Sequence, residues 1–194
     1  MKTVLTAAAF ALFAAPVFAD VNITPDMPWV TVQTDAGEVE ISRIDDPAHE
    51  LSGEWARTSR NCPNFCVQPM VPAPGVTPIG ELELLAMLQD PEAIVVDSRV
   101  VADHETGTIP GAISIPYNEA TDRLDELGCE LDFDGFDCEA AKPVALFCNG
   151  NWCGQSPTAA RRMIEAGFPA DKIHYYRGGM HAWRMLGLTV TGDS

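Results

Sequence analysis

One cysteine in this 194-residue chain, Cys148, has neighbours suited to nucleophilic chemistry. The apolar run Val144-Ala145-Leu146-Phe147 delivers it into a loop of Asn149, Gly150, Asn151, Trp152, Cys153, Gly154 and Gln155. Ser156 and Pro157 then open a helical pattern. Such a loop gathers unpaired main-chain N–H groups around one sulfur, with the positive end of a helix dipole behind them. Both effects favour thiolate over thiol, which is the setting of an activated nucleophile. The plain alternative is a buried structural cysteine at a strand end. A core cysteine needs no loop of Asn, Gly and Gln around it, so the composition favours the nucleophile. That chemistry requires an accessible sulfur with the amides turned toward it.

Other residues compete for roles beside it. Cys153 lies in the same loop, where it could attack a sulfur carried on Cys148, release sulfide and leave a Cys148–Cys153 disulfide, or simply pack and protect the site. Proximity along the chain suggests three cysteine pairs, Cys62 with Cys66, Cys129 with Cys138, and Cys148 with Cys153. The second would close the polar loop 130–137. The first would staple its segment or exchange with Cys148. No C-x-x-C pair is present and the histidines are scattered, so no metal site is expected. Asp132, Asp134, Gly135 and Asp137 are spaced like part of a calcium loop, but Ala141 stands where the closing acid belongs. Asp97 and Arg99 end an apolar run and form either a loop-orienting pair or an ordinary ion pair. His104 and His181 are candidate proton carriers, with packing roles the commoner fate of lone histidines.

The elements that would position these residues follow from periodicity. Residues 29–44 alternate apolar and polar about Asp35-Ala36-Gly37, as a β-hairpin with Val30 and Val32 on one face and Val39 and Ile41 on one face. Residues 45–61 are polar without a period. From Gln68 onward, Pro69, Pro72, Pro74 and Pro78 mark a linker or an arm lying on the next domain. A helix is predicted with Leu82, Leu84, Leu85 and Leu88 on one face. Strands are predicted at 93–96, 113–115, 144–147 and 173–176, and helices at 118–127 and 180–186. A further helix capped by Ser156 buries Ala160, Met163 and Ile164 and ends at Gly167. Alternating strands and helices predict an α/β fold, a parallel sheet with helices on both faces. Asp97 and Cys148 would both fall at the strands' carboxyl ends, where such sheets bind ligands.

Four motifs in order carry a family resemblance. They are Asp97-Ser98-Arg99 at a strand end, Gly107-Thr108-Ile109-Pro110-Gly111-Ala112-Ile113, the Cys148 loop running into a helix, and Arg177-Gly178-Gly179-Met180-His181-Ala182-Trp183. Together they resemble the rhodanese-like sulfurtransferase domain over about residues 76–190. The resemblance implies a rhodanese-like fold and a persulfide mechanism on Cys148, with Asp97 and Arg99 in support and no cofactor. Two features depart from it. The loop from Cys148 to Ser156 is about two residues longer than the usual six-residue loop of that family and contains no Lys or Arg. It also carries Cys153. A loop without cationic side chains should hold the thiosulfate dianion weakly, so a thiol persulfide, a polysulfide or a protein donor is expected. The alternative function is a thiol–disulfide or sulfur-relay binding protein using Cys148 and Cys153 without independent turnover.

The ends and the charge set the context. Residues 1–19 read as a secretory signal, with Lys2 before an apolar stretch and Val17-Phe18-Ala19 as a small-residue cleavage site. The stretch is shorter than the ~20 residues that span a bilayer, so no membrane span is expected after cleavage. A periplasmic or secreted location permits disulfides. Removing the leader lowers the basic count from 12 to 11 against 28 acidic residues, taking the formal charge from −16 to −17. Such a surface repels nucleic acid. The expected organisation is a signal at 1–19, an extension at 20–75 and the rhodanese-like domain at 76–194. The expected partners are a small sulfur-containing donor and a periplasmic protein acceptor.

Overall fold

The computed structural model describes residues 21–63, 65–133 and 135–192, so the leader expected at 1–19 lies outside the described residues. The first element is the expected hairpin, β1 (Trp29–Thr34) against β2 (Gly37–Ser42), with Val32 opposite Val39 and Val30 opposite Ile41. Its apolar face does not stand alone. Val30, Val32 and Ile41 are buried in one cluster with Leu84, Leu85, Phe147 and Trp183.

Beyond the hairpin lie the strands β3 (Thr77–Ile79), β4 (Ile94–Asp97), β5 (Ile113–Ser114), β8 (Val144–Phe147) and β9 (Ile173–Tyr176). They form one five-stranded, all-parallel sheet in the order β3–β9–β8–β4–β5. The fold class is the α/β arrangement that the alternating pattern predicts. Pro78 hides β3 from the sequence, since proline reads as a breaker. It is tolerated because β3 is an edge strand. The central strand β8 is buried on both faces: Val144 and Leu146 pack with Ala160 and Met163, while Ala145 and Phe147 pack with Met180 and Trp183.

The helices agree in part. In α1 (Glu81–Gln89) Leu84 and Leu85 are buried, but Leu82 is exposed rather than on the core face. A one-turn helix, α2 (Val101–Glu105), is too short to show a period. No α-helix forms over 118–127. Glu119 N–H bonds the Pro116 carbonyl and Asp122 N–H the Glu119 carbonyl, giving consecutive three-residue turns, and only Leu124–Leu127 coils further, as a 3-10 turn. Leu124 and Leu127 are nonetheless buried. The polar loop at 130–137 is a small hairpin, β6 (Glu130–Asp132) with β7 (Gly135–Asp137), whose base is joined by the Cys129–Cys138 disulfide. Cys62 and Cys66 are also paired. The last two helices are α3 (Gln155–Glu165) and α4 (Gly179–Met185). Because α3 starts at Gln155, its cap position is Gly154, and Ser156 sits inside the first turn rather than capping it.

Candidate active site

Strands β4 and β8 are neighbours in register, Asp97 beside Phe147, so the chain leaves the sheet at Asp97 and at Cys148 on one edge. The first turn of α4 then fixes the direction of the Cys148 loop. Met180 N–H bonds the Cys148 carbonyl at 2.9 Å and His181 N–H bonds the Asn149 carbonyl at 3.0 Å. Gly179, at φ +54°, lies so close that a Cβ there would overlap the Cys148 carbonyl and stand 2.8 Å from the Gly150 nitrogen. Only glycine allows this approach.

With the carbonyls drawn toward α4, the amides face the sulfur. Ser156 Oγ donates to Cys148 Sγ at 3.0 Å, and the nearby main-chain N–H groups of Gly150 and Ser156 favour its charged form. Burial pushes the Cys148 thiol up, but hydrogen bonds from Cys153, Ser156 and Gly150 outweigh it and bring the pKa down to about 7. The Cys153 thiol moves the other way. The neighbouring Cys148 sulfur raises it and burial adds to that, so it holds its proton far above the usual thiol range. The two cysteines are free thiols, not the third disulfide expected from proximity. The Cys153 S–H donates instead to Gln155 Oε1 at 3.5 Å, and the Cys153 N–H closes the loop onto the Gly150 carbonyl at 2.9 Å.

The Cys148 sulfur is not as open as expected. Cys148 is 2% exposed, and the Cys153 carbonyl lies 3.4 Å from its Sγ. Cys153 lines the adjoining cavity of about 500 Å³, and Cys148 does not. The Cys153 segment therefore stands between the cavity and Cys148. Tight amide binding of a sulfur and open access to it compete in a short loop, and here the amides win.

Asp97 and Arg99 brace the loop from beside. Asp97 is fully buried and accepts hydrogen bonds from Arg99 Nη2 at 2.6 Å, Thr108 Oγ1 at 2.8 Å and the Arg99 main-chain N–H at 3.1 Å, with His104 Nδ1 at 3.1 Å. Burial raises its pKa, but the bonds from His104 and Arg99 prevail and hold the carboxyl below its ordinary value. Arg99 Nη1 reaches Asn149 Oδ1 at 3.3 Å, and Asn149 Nδ2 donates to Asp103 at 3.1 Å. Asp97 thus acts on the loop through Arg99. Neither His104 nor His181 bonds Cys148: His104 is held by Asp97, and His181 Nε2 lies 3.1 Å from the Trp55 carbonyl with its ring edge-on to Trp152 at 4.8 Å.

The remaining loop residues face the preceding segment. The Asn151 carbonyl accepts from Gln68 N–H at 2.8 Å, and the Gln68 carbonyl accepts from Arg177 Nε at 3.0 Å. Trp152 lies under Arg60, whose guanidinium is 4.5 Å from the ring centroid. Gln155 Oε1 is 3.5 Å from Cys153 Sγ, and Gly154 and Gln155 line the cavity. Trp55, Arg60 and Phe65 also line it, a placement that no periodic signal in residues 45–66 could have given. Among the described residues no group of three or more His, Cys, Asp or Glu side chains could hold a metal, and no helix is long and apolar enough to cross a membrane.

The profile of the rhodanese-like domain matches residues 81–186. The chain belongs to the rhodanese-like family. It is 34% identical over 112 residues to an HTH-type transcriptional regulator of Mycobacterium tuberculosis, covering 58% of this chain and 43% of the regulator. It is 29% identical over 104 residues to the tRNA uridine(34) hydroxylase of Teredinibacter turnerae, covering 54% of this chain and 30% of that enzyme. A crystal structure of thiosulfate sulfurtransferase from Pseudomonas aeruginosa aligns at 25% identity and a TM-score of 0.47, over 61% of this chain and 21% of that one. The chain spans less than half the length of these curated relatives. The rhodanese-like match includes Asp97, Arg99, Cys148 and Gly179; Trp55, Arg60 and Phe65 precede it.

Proposed function

We propose that this protein is an exported sulfurtransferase that carries sulfane sulfur as a persulfide on Cys148. The single observation that carries the proposal is the set of donors on Cys148 Sγ, which lowers its pKa to about 7. The Cys148 thiolate attacks the outer sulfur of a donor R–S–SH. The donor S–S bond breaks, R–S⁻ leaves, and Cys148–S–SH remains. An acceptor thiolate then attacks the outer sulfur, taking it as its own persulfide and returning Cys148 to thiolate. No external oxidant or reductant enters. The Gly150 and Ser156 amides stabilise the anion at each stage, as a preorganised nest does.

Asp97 and Arg99 are positioning residues that hold Asn149 and so the loop. The firmly protonated Cys153 is a poor nucleophile, which argues against a relay through a Cys148–Cys153 disulfide. The leader-like residues 1–19 and the pairs Cys62–Cys66 and Cys129–Cys138 support a periplasmic or secreted location. The organisation that goes with it is a signal at 1–19, an extension at 20–75 and the sulfurtransferase domain at 76–194, with a periplasmic protein as one class of acceptor. Steady-state transfer from a thiol persulfide to an acceptor thiol tests the proposal. The wild type should turn over and Cys148→Ser should not; equal rates for the two proteins would refute it.

A further inference from the structure

Arg60 is an unusual residue to find at the mouth of this cavity. Its side chain is only 10% exposed, its guanidinium lies 4.5 Å from the Trp152 ring centroid and 5.3 Å from that of Phe65, and it borders the space that Cys153 also lines. Glu54 accepts one bond, from Arg60 Nη1 to Oε2 at 3.2 Å, and the Glu54 carbonyl accepts another from Nη2. Arg60 Nε is buried with no hydrogen-bond partner among the described residues. A guanidinium drawn out of water at the edge of a cavity, with its Nε donor unpaired, can take one further acceptor.

The same residue answers what the loop lacks. No Lys or Arg lies between Cys148 and Ser156, so an anionic group on a donor has no cationic partner from the loop itself. Arg60 supplies one from the segment ahead of the rhodanese-like match, held against the loop by the Gln68–Asn151 and His181–Trp55 contacts. The cavity is not strongly positive, however. Glu54 and Asp103 line it along with Arg60 and Arg99. Two carboxylates against two guanidiniums suit one carboxylate on a ligand better than a compact dianion. The walls offered by Trp55, Phe65 and Trp152 suit an organic body between that carboxylate and the sulfur.

We propose that Arg60 is a specificity residue that reads the carboxylate of an organic thiol persulfide, the sulfur donor for Cys148. This rests on the sulfurtransferase function proposed above. The guanidinium forms charge-assisted hydrogen bonds to the donor carboxylate while the persulfide end points toward the Cys153 segment and Cys148. The transferred atom is the outer sulfur, and the carboxylate thiolate leaves.

The test compares two donors on the full chain, the persulfides of 3-mercaptopropionate and of 2-mercaptoethanol, which differ in the carboxylate. Wild type should show a KM about tenfold lower for the carboxylate donor, the scale of one charge-assisted contact. Arg60→Gln should abolish that preference by raising KM for the carboxylate donor far more than for the neutral one, and Arg60→Lys should restore part of it. A wild type without preference, or an Arg60→Gln that keeps the preference or weakens both donors equally, would overturn the proposal. A measurement needing no variant uses the S-methyl thioether of 3-mercaptopropionate. It should inhibit the wild type competitively while its methyl ester does not, and equal inhibition by the two overturns the proposal. A wild type that takes sulfur from neither donor refutes the sulfurtransferase function itself, which separates the two failures.

Discussion

Ser156 Oγ lies 3.0 Å from Cys148 Sγ and donates to it from inside the first turn of α3. A hydroxyl that could have capped the helix is spent on the sulfur. Ser156→Ala removes that donor and keeps the main-chain N–H. A hydrogen bond to a charged group contributes about 1.5–3 kcal/mol, so the Cys148 pKa should rise by about one to two units. In the wild type the thiolate fraction grows as pH rises through about 7, and the rate of alkylation by a small reagent should follow that curve. In Ser156→Ala the midpoint should move to higher pH. An unmoved midpoint would show that the hydroxyl does not bear on the thiolate.

Asp97 and Arg99 are both almost wholly buried and joined at 2.6 Å. Asp97→Asn leaves a buried guanidinium without its counter-charge, which should destabilise the fold by about 3–5 kcal/mol in urea unfolding. The pH dependence has a definite sign. The carboxyl is depressed below 3.8 in the folded chain, so its contribution is complete above that value and is lost as pH falls through the lower, folded pKa. Acid should therefore destabilise the wild type more steeply than Asp97→Asn. Parallel acid profiles would contradict this.

Gly179→Ala places a Cβ onto the Cys148 carbonyl. Either α4 or the loop must shift, and overpacking of this kind costs about 1–3 kcal/mol. The expected result is a folded but less stable protein whose Cys148 titrates well above 7, because the amides no longer converge. A stable variant with wild-type alkylation would mean that α4 does not set the loop.

The strand–loop–helix around Cys148 was legible because an apolar run, a small-residue loop and a helical period follow one another without a break. Leu124 and Leu127 were legible as core even though their helix was not, since burial follows side-chain chemistry while the backbone there settles into three-residue turns. What α4 does for the loop was not legible. Gly179 reads as a motif in sequence, and its reason, close approach to a carbonyl 31 residues earlier, exists only in three dimensions. The wall made by Trp55, Arg60 and Phe65 left no trace, because an irregular segment has no period and its contacts lie far along the chain. Pairing Cys148 with Cys153 by proximity failed because both stay free thiols, with the Cys153 S–H directed to Gln155 Oε1.

Cys153 should not resolve a persulfide on Cys148. Burial by itself raises its pKa, and attack would require the thiolate. Wild type and Cys153→Ser, each loaded with sulfur and left without an acceptor, should release sulfide at the same slow rate. Rapid release by the wild type alone, with a new Cys148–Cys153 disulfide, would favour a relay over a transferase.

Whether Cys148 takes up one sulfur atom is the most direct test. Reduced protein incubated with a thiol persulfide, freed of donor and measured as an intact mass, should gain the mass of one sulfur, and peptide mapping should place it on Cys148. Cys148→Ser should gain nothing. A wild type that stays unmodified, or a Cys148→Ser variant that carries the same adduct, would contradict persulfide transfer through this residue.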